Sequence, residues 1–371
     1  MLIGVPREIK EGERRVGLTP HAVRELVLHG HRVIVESGAG VGIGASDADY
    51  ESAAAEITAR SQDVWGEAEL VVKVKEPQSS ERKMLSEGQI LFAYLHLAPD
   101  HEQTADLVAT GAACIAYETV TDSRGSLPLL APMSRVAGRL AVQAGAWALE
   151  TAHGGAGVLI GGVPGVPPAR VVIIGGGVVG ENAAEIAIGM GADVRVLDID
   201  PAALDHLEQR FGAAVVTVTS TRAAVEAEVL DADLVIGAVL VTGARAPKLV
   251  TAAMIETMRP GSVVVDVAID QGGCFETSYP TTHSEPTFVH GGVVHYCVAN
   301  MPGAVPLTST RALSDATLPR VLALAEHGLG ALRMDSHLCA GLNVYRGQIT
   351  EPNVAAAMGA PFVNPRTALA A

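Results

Sequence analysis

RVVIIGGGVVGENAAEIAIGMGADVRVLDID, residues 170–200, reads as a strand, a glycine turn, a helix and a second strand that ends in an acid. VVII (171–174) is a short apolar, β-branched run, as expected of a strand buried on both faces. Gly175, Gly177 and Gly180 then supply the pattern G-x-G-x-x-G. The first glycine permits a tight turn, the second lets backbone approach a pyrophosphate, and the third lets the helix pack close to the strand. The helix N-terminus presents N–H groups to the phosphates. Asp198 follows Gly180 by 18 residues and closes the run 194–197, where a carboxylate can accept hydrogen bonds from a ribose diol. Glycine turns alone also occur in ordinary βαβ units. Strand, helix, second strand and acid in register point to a dinucleotide site. The acid also selects the cofactor. It repels a 2′-phosphate, Asp200 adds a second negative charge, and residues 198–203 hold no Arg of the kind NADP readers use. NAD is the expected cofactor.

At 371 residues the chain has room for two domains. Hydrophobic residues make up 49% of it and the mean hydropathy is +0.30, yet no apolar run approaches bilayer-spanning length. MLIGVPREIK lacks the charged-then-apolar plan of a signal peptide. The excess apolarity is therefore assigned to buried sheets and subunit contacts, which predicts a homo-oligomer with no membrane partner. A net charge of −15 without a basic stripe argues against nucleic acid. Cys114, Cys274, Cys297 and Cys339 show no C-x-x-C spacing and predict buried, reduced thiols in a cytoplasmic protein.

The residues before the glycine turn also alternate. Segments 2–5, 32–36, 70–74, 90–94 and 114–117 read as strands, and 20–28, 47–57 and 101–109 as helices between them. Such alternation implies an open, mostly parallel sheet covered by helices. Residues 134–153 read as one long helix capped by Ser134, followed by a Gly/Pro-rich passage at 161–168. Beyond Asp198, strands at 215–218, 234–237, 263–267 and 294–298 complete a Rossmann-type sheet. The tail turns helical from Thr308, with an apolar stripe over 316–331, and is too short to stand alone. The expected fold is α/β with two domains. A Rossmann-type NAD-binding domain (131–307) is inserted into a second α/β, flavodoxin- or Rossmann-like substrate domain (1–130 and 308–371), leaving a cleft between them.

In open α/β sheets ligands bind beyond the carboxyl ends of the strands. By that criterion Lys75 closes LVVKVK (70–75), His96 follows the strand at 90–94, Glu118 follows 114–117, and Asp270 follows the strand at 263–267. Arg14 and Arg15 lie in the loop after the first strand. Each alone is an ordinary surface residue closing a strand. Together, beside a dinucleotide, they form a candidate reaction centre.

The chain resembles the alanine dehydrogenase family, which is shared with the NAD-binding part of proton-translocating transhydrogenase. The resemblance is carried by GVPREIKEGERRVGLTP (4–20), LVVKVKEP (70–77), GQILFAYLHLA (88–98), PLLAPMSRVAGRLA (128–141), the GGGVVG turn (175–180), VVDVAIDQGGCFE (264–276) and VANMPGAVPLTST (298–310). It implies that Arg15 and Lys75 grip a substrate carboxylate and that His96 and Asp270 are the acid–base residues. It places NAD against Ser134, Val178, Val179, Asp198 and Ser220, then Val239 and Leu240. Val267, Ala268, Ile269 and Asp270, and Val298, Ala299, Asn300 and Met301, complete that set. It implies L-alanine, pyruvate and ammonium as substrates, and a homohexamer. For Glu118 and His327 two readings stand side by side, a divalent metal site holding Mg and a hydrogen-bonded interdomain pair. These roles agree with the chemistry, since moving hydride from an amino-acid α-carbon needs a carboxylate clamp, which Arg provides bidentately. Activating water and moving protons suits an imidazole.

Ala203, Tyr279 and Leu307 depart from the residues usual in the resembled family, the first two at expected cofactor contacts and the third near the domain junction. The leading expectation is an NAD-dependent L-alanine dehydrogenase. The alternatives are the NAD-binding subunit of a transhydrogenase, a saccharopine-type dehydrogenase, and a non-enzymatic NAD sensor. The sensor would have no use for Arg15, Lys75, His96 and Asp270.

Overall fold

Strand propensity concentrates in two separate sheets. A computed structural model describes residues 1–239 and 246–370. The chain divides into two units, Met1–Met133 with Val305–Ala371, and Ser134–Ala304. The second is thus one continuous stretch lying between two pieces of the first. The architecture is α/β, as the alternating pattern predicts.

The first unit holds an eight-stranded sheet. Six strands run parallel, in the spatial order Glu56–Thr58, Arg32–Glu36, Leu2–Val5, Leu70–Val72, Ile90–Ala93, Ala113–Ala116. By chain order this is 3-2-1-4-5-6, with its switch point between Leu2–Val5 and Leu70–Val72. The tail contributes Leu342–Tyr345 and Gln348–Ile349, each antiparallel to its neighbour, at the Ala113–Ala116 edge. The expected helical tail is real over Pro306–His327, but these two strands were not anticipated. Residues 47–57 also differ from expectation. The helix stops at Ser52, and Glu56–Thr58 is an edge strand. One face of the sheet is sealed by Trp65, Leu91, Leu95, Leu107, Cys114 and Val344, all fully buried. Each side chain of that size contributes roughly 1.5–3 kcal/mol on burial.

The second unit repeats the plan. Val215–Thr219, Asp193–Asp198, Arg170–Ile174, Leu234–Gly237, Val263–Asp266 and Val293–Tyr296 are parallel in that order. An antiparallel edge strand, Thr287–His290, completes the sheet. The switch point lies between Arg170–Ile174 and Leu234–Gly237, where the glycine turn leaves the sheet. Val172, Ile174, Val235, Val264 and Phe275 pack its interior. Cys114, Cys274, Cys297 and Cys339 are all free and buried. No helix among the described residues is long and apolar enough to cross a membrane.

Candidate active site

In the first unit the sheet delivers Arg15, Lys75, His96 and Glu118 to the carboxyl ends of neighbouring parallel strands. Arg15 is only 2% exposed. Its Nε donates to Glu13 Oε1 at 2.7 Å, its second terminal nitrogen to Glu13 Oε2 at 2.6 Å, and its first to Met133 Sδ at 3.1 Å. Burial works against the guanidinium charge, but the Glu13 carboxylate more than offsets it, so the group is held charged above its ordinary range. The sequence reading missed Glu13. Its signal was the two-residue spacing in E-x-R on a loop after a strand.

Lys75 is half-buried and lies three residues beyond Val72, where the strand ends earlier than LVVKVK suggests. The residue the sequence reading passed over is Lys73, which is completely buried. Its ammonium lies 2.7 Å from Glu81 Oε1 and 3.2 Å from Glu8 Oε2. Glu8 Oε1 also accepts the Val74 N–H at 2.7 Å. Burial pushes the Glu8 carboxyl up, with Lys73 pulling only part of the way back.

His96 sits just past Ile90–Ala93 with a positive φ of 48°. Its side chain is 46% exposed, and its ring lies parallel to that of Tyr94 with centroids 5.9 Å apart. Tyr94 is buried and donates its hydroxyl to the Leu129 carbonyl at 2.6 Å. Glu118, on the short 3-10 turn Tyr117–Thr119, accepts the His96 N–H at 2.6 Å.

In the second unit Gly175, at φ 107°, turns the chain out of Arg170–Ile174 into the helix Val178–Gly189. No side chain caps that helix, which begins after Gly177, leaving its first N–H groups to be met by an anion. A Cβ at Gly180 would stand 1.8 Å from the Gly175 carbonyl oxygen, whereas one at Gly177 would meet nothing within 4 Å. The turn is therefore compressed by the fold at Gly180 and open at Gly177. Asp198 accepts the Gly176 N–H at 2.6 Å and the Asp200 N–H at 2.8 Å, which fixes its carboxylate beside the turn with further lone pairs to offer. This arrangement fits a dinucleotide.

Around it, Ser220 donates its N–H to the Asp198 carbonyl at 2.8 Å. Val178 is exposed, Val179 buried, and Val239 half-buried beyond Leu234–Gly237. Leu240 lies outside the described residues. Ser134 does not cap the long helix as expected. The helix runs Ala131–Ala148 and Ser134 lies within its first turns, because Ala131 to Met133 already continue the helical path. A Cβ on Gly138 of that helix would stand 2.2 Å from the Val179 carbonyl oxygen, so its backbone lies directly against the dinucleotide turn.

Val267, Ala268, Ile269 and Asp270 form a 3-10 turn, Val267–Gln271, immediately after Val263–Asp266. Asp270 is exposed and its Oδ2 accepts the Asn300 N–H at 3.4 Å. Asn300, at φ 59°, follows Val298 and Ala299 and precedes the buried Met301. Asp266, at the end of the strand, holds the segment that follows the turn. It is completely buried and accepts the N–H groups of Cys274 at 3.0 Å and Phe275 at 3.4 Å. Burial raises its carboxyl above the ordinary range despite those bonds.

Glu118 and His327 find different partners. Glu118 turns to the backbone at Leu95 and His96, whereas His327 ends the helix Pro306–His327 and faces Glu326 at 3.8 Å. No group of three or more His, Cys, Asp or Glu that could hold a metal occurs among the described residues. Glu118 and His327 share no hydrogen bond or ion pair among the described residues, so nothing in the structure supports the expected Mg site.

Residues 4–137 match the family Alanine dehydrogenase/PNT, N-terminal domain, and residues 141–352 match Alanine dehydrogenase/PNT, C-terminal domain. An alanine dehydrogenase of Halomonas elongata is 60% identical over 364 residues, 98% of each chain. A solved L-alanine dehydrogenase superposes with a TM-score of 0.94 at 53% identity, covering 97% of this chain and 99% of that one. A solved transhydrogenase from Sinorhizobium meliloti superposes at 0.81 with 25% identity, covering 95% and 99%.

Proposed function

The chain belongs to the alanine dehydrogenase/PNT family, and on that premise we propose that it catalyses the reversible reaction of L-alanine, water and NAD to pyruvate, ammonium, NADH and a proton. The observation that carries this reading is the placement of Arg15, Lys75 and His96 at the carboxyl ends of neighbouring parallel strands, around the switch point where such sheets bind ligands. A hydride carrier between nucleotides has no need of a carboxylate clamp. The transhydrogenase relative also stands at 25% identity, against 53% for the solved L-alanine dehydrogenase.

The unit Met1–Met133 with Val305–Ala371 is the substrate domain, and Ser134–Ala304 the NAD domain. When bound, NAD supplies the acceptor for the hydride that leaves the alanine α-carbon. Asp198 takes the adenosine ribose, the N-terminus of Val178–Gly189 the pyrophosphate, and Ser134, Val179, Ser220 and Val239 line the remainder with 267–270 and 298–301. Arg15 and Lys75 hold the substrate carboxylate, which fixes the α-carbon for transfer. Hydride leaves alanine in its deprotonated amine form and gives an iminium. His96 accepts a proton from the water that adds to the iminium carbon and returns it to the departing amine, while the remaining hydroxyl proton is released as the carbonyl forms. Asp270 orients that water. The repulsion argument at Asp198 makes NAD the cofactor rather than NADP. No step needs a metal ion. Leu159, Val163 and Val166 stand exposed around one turn of the NAD domain, which supports subunit contact in a homohexamer, and the free, buried cysteines support a reducing cytoplasm.

The test is NADH oxidation by the purified protein with ammonium plus pyruvate, glyoxylate or 2-oxoglutarate. Turnover fastest with pyruvate is expected. Failure with pyruvate combined with hydride exchange between two nucleotides overturns the reading. Light scattering that reports a monomer at micromolar concentration overturns the hexamer.

A further inference from the structure

His96 occupies a backbone conformation that it would not choose alone. A non-glycine residue at φ 48° is uncommon, and such a conformation persists only where the surroundings over-determine it. The surroundings here are unusually complete. Glu118 Oε1 accepts the His96 N–H at 2.6 Å, and the same carboxylate accepts the Leu95 N–H at 3.2 Å. The Leu95 carbonyl accepts from Gln103 Nε2 at 2.6 Å, and Gln103 is 1% exposed. The Leu97 carbonyl accepts from the hydroxyl of the fully buried Thr104 at 2.9 Å. Four backbone groups of residues 95–97, flanking one imidazole, are thus each held by a side chain rather than by a strand ladder. Glu118 alone holds two of them and also faces His96 Nδ1, at 3.9 Å.

We infer that Glu118 is the positioning residue for His96, its carboxylate pinning the left-handed turn so that the imidazole is presented in a single orientation. The inference rests on His96 being the acid–base residue. Gln103 and Thr104 fix the carbonyls from the following helix, His101–Thr110, whereas Glu118 reaches across from the end of the adjacent strand, Ala113–Ala116. The two N–H groups are the half of the turn that no helix can satisfy. Displacing a reacting group by about 1 Å can cost 10²-fold in rate, so the effect belongs in kcat. Substrate affinity, which depends on Arg15 and Lys75, should change little.

Three substitutions separate the possibilities. Glu118→Gln keeps an oxygen that can accept both N–H groups and should retain kcat within a factor of about three. Glu118→Asp is shorter by one methylene and folds as a conservative change. It cannot reach both groups and should lower kcat roughly 10–100-fold. Its KM for pyruvate and its affinity for NADH should stay within about threefold of wild type. Glu118→Ala should lower kcat at least as far. Hydrogen exchange at the His96 amide should accelerate in the Asp and Ala variants and not in Gln. Wild-type kcat in both Asp and Ala overturns the inference. Loss in Gln equal to that in Ala also overturns it, because then acceptance of the backbone N–H groups is not what matters. His96→Ala is the companion control. If it retains wild-type turnover the acid–base reading fails, whereas an inactive His96→Ala beside unaffected Glu118 variants condemns only the role given to Glu118.

Discussion

Gly177 and Gly180 stand three residues apart in one turn, yet the structure assigns them opposite reasons for being glycine, and alanine at each position separates them. At Gly177 the backbone is extended, φ −71° and ψ −164°, and an added Cβ meets nothing within 4 Å. The protein alone therefore tolerates Gly177→Ala. Restricting the unfolded chain should even stabilise the fold by about 0.4–1 kcal/mol. Only a pyrophosphate drawn against the turn would feel the methyl group, so NADH affinity should fall at least tenfold, or about 1.4 kcal/mol. At Gly180 an added Cβ stands 1.8 Å from the Gly175 carbonyl oxygen, and real Cβ contacts essentially never come below 3.0 Å. Helix and turn would have to part by about an ångström, and overpacking of that kind costs roughly 1–3 kcal/mol. In a unit of this size each kcal/mol moves Tm by roughly 2–4 °C, so Gly180→Ala should melt about 2–12 °C lower. Thermal melting and NADH fluorescence titration read both effects. Wild-type NADH affinity in Gly177→Ala would show that no phosphate approaches this turn. An unchanged Tm in Gly180→Ala would show that helix and strand are not in the contact described.

The catalytic assignments predict that His96→Ala and Asp270→Ala still bind NADH but lose about 10²–10⁴ in kcat with pyruvate and ammonium, and turnover within a few-fold of wild type refutes the assigned role. Asp198→Gly should narrow an NAD preference over NADP of about tenfold or more, and equal wild-type rates with both cofactors would sink the ribose assignment. Glu8 predicts a pH effect on stability. Burial raises its carboxyl in the folded chain, so the fold binds this proton more tightly than the unfolded chain does, and its contribution is present at low pH and lost as pH rises through the raised value. Glu8→Gln keeps the acceptor for Val74 and removes the titration, so the Tm of wild type minus that of the variant should fall as pH rises above the ordinary carboxylate range. A flat difference contradicts this.

Both parallel sheets were legible because their strands are continuous β-branched runs between glycine and helix signals, a pattern that burial on two faces imposes. Of the strands missed, all but Leu342–Tyr345, which lies between Gln348–Ile349 and Ala113–Ala116, are at edges. Thr287–His290 ends in two exposed residues, and Glu56–Thr58 is three residues long with a charged start. Neither shows the apolar run that marks an interior strand. The tail hairpin did carry a local signal. Arg346 and Gly347 form a two-residue loop with φ 46° and 75°, the positive pair a type I′ turn requires. Arginine is an unusual first residue for it, so VYRGQI (343 excluded, 344–349) did not read as a hairpin.

The candidate site was legible in the residues that end strands and illegible in those that support them. Lys73 and Lys75 show why. In an unbroken strand side chains two apart share a face, so LVVKVK would present both ammonium groups alike. The regular strand ends at Val72, although backbone hydrogen bonds from the Lys73 N–H and to the Val74 carbonyl continue to the neighbouring strand. Lys73 is drawn completely inside against Glu8 and Glu81, while Lys75 stays half-exposed. Which lysine is buried is thus decided by two carboxylates from other parts of the chain, and breaking such a buried set by removing one partner costs about 3–5 kcal/mol. Glu118 belongs to the same class. It lies 22 residues from His96 and meets it because the sheet sets Ile90–Ala93 beside Ala113–Ala116 in register. A carboxylate that accepts backbone N–H groups leaves no periodicity and no motif, since its partner could be any residue at that point of the turn. The fold must be known before such a residue can be assigned, and for that reason His96 could be proposed from its position at a strand end while the carboxylate that accepts its N–H could not.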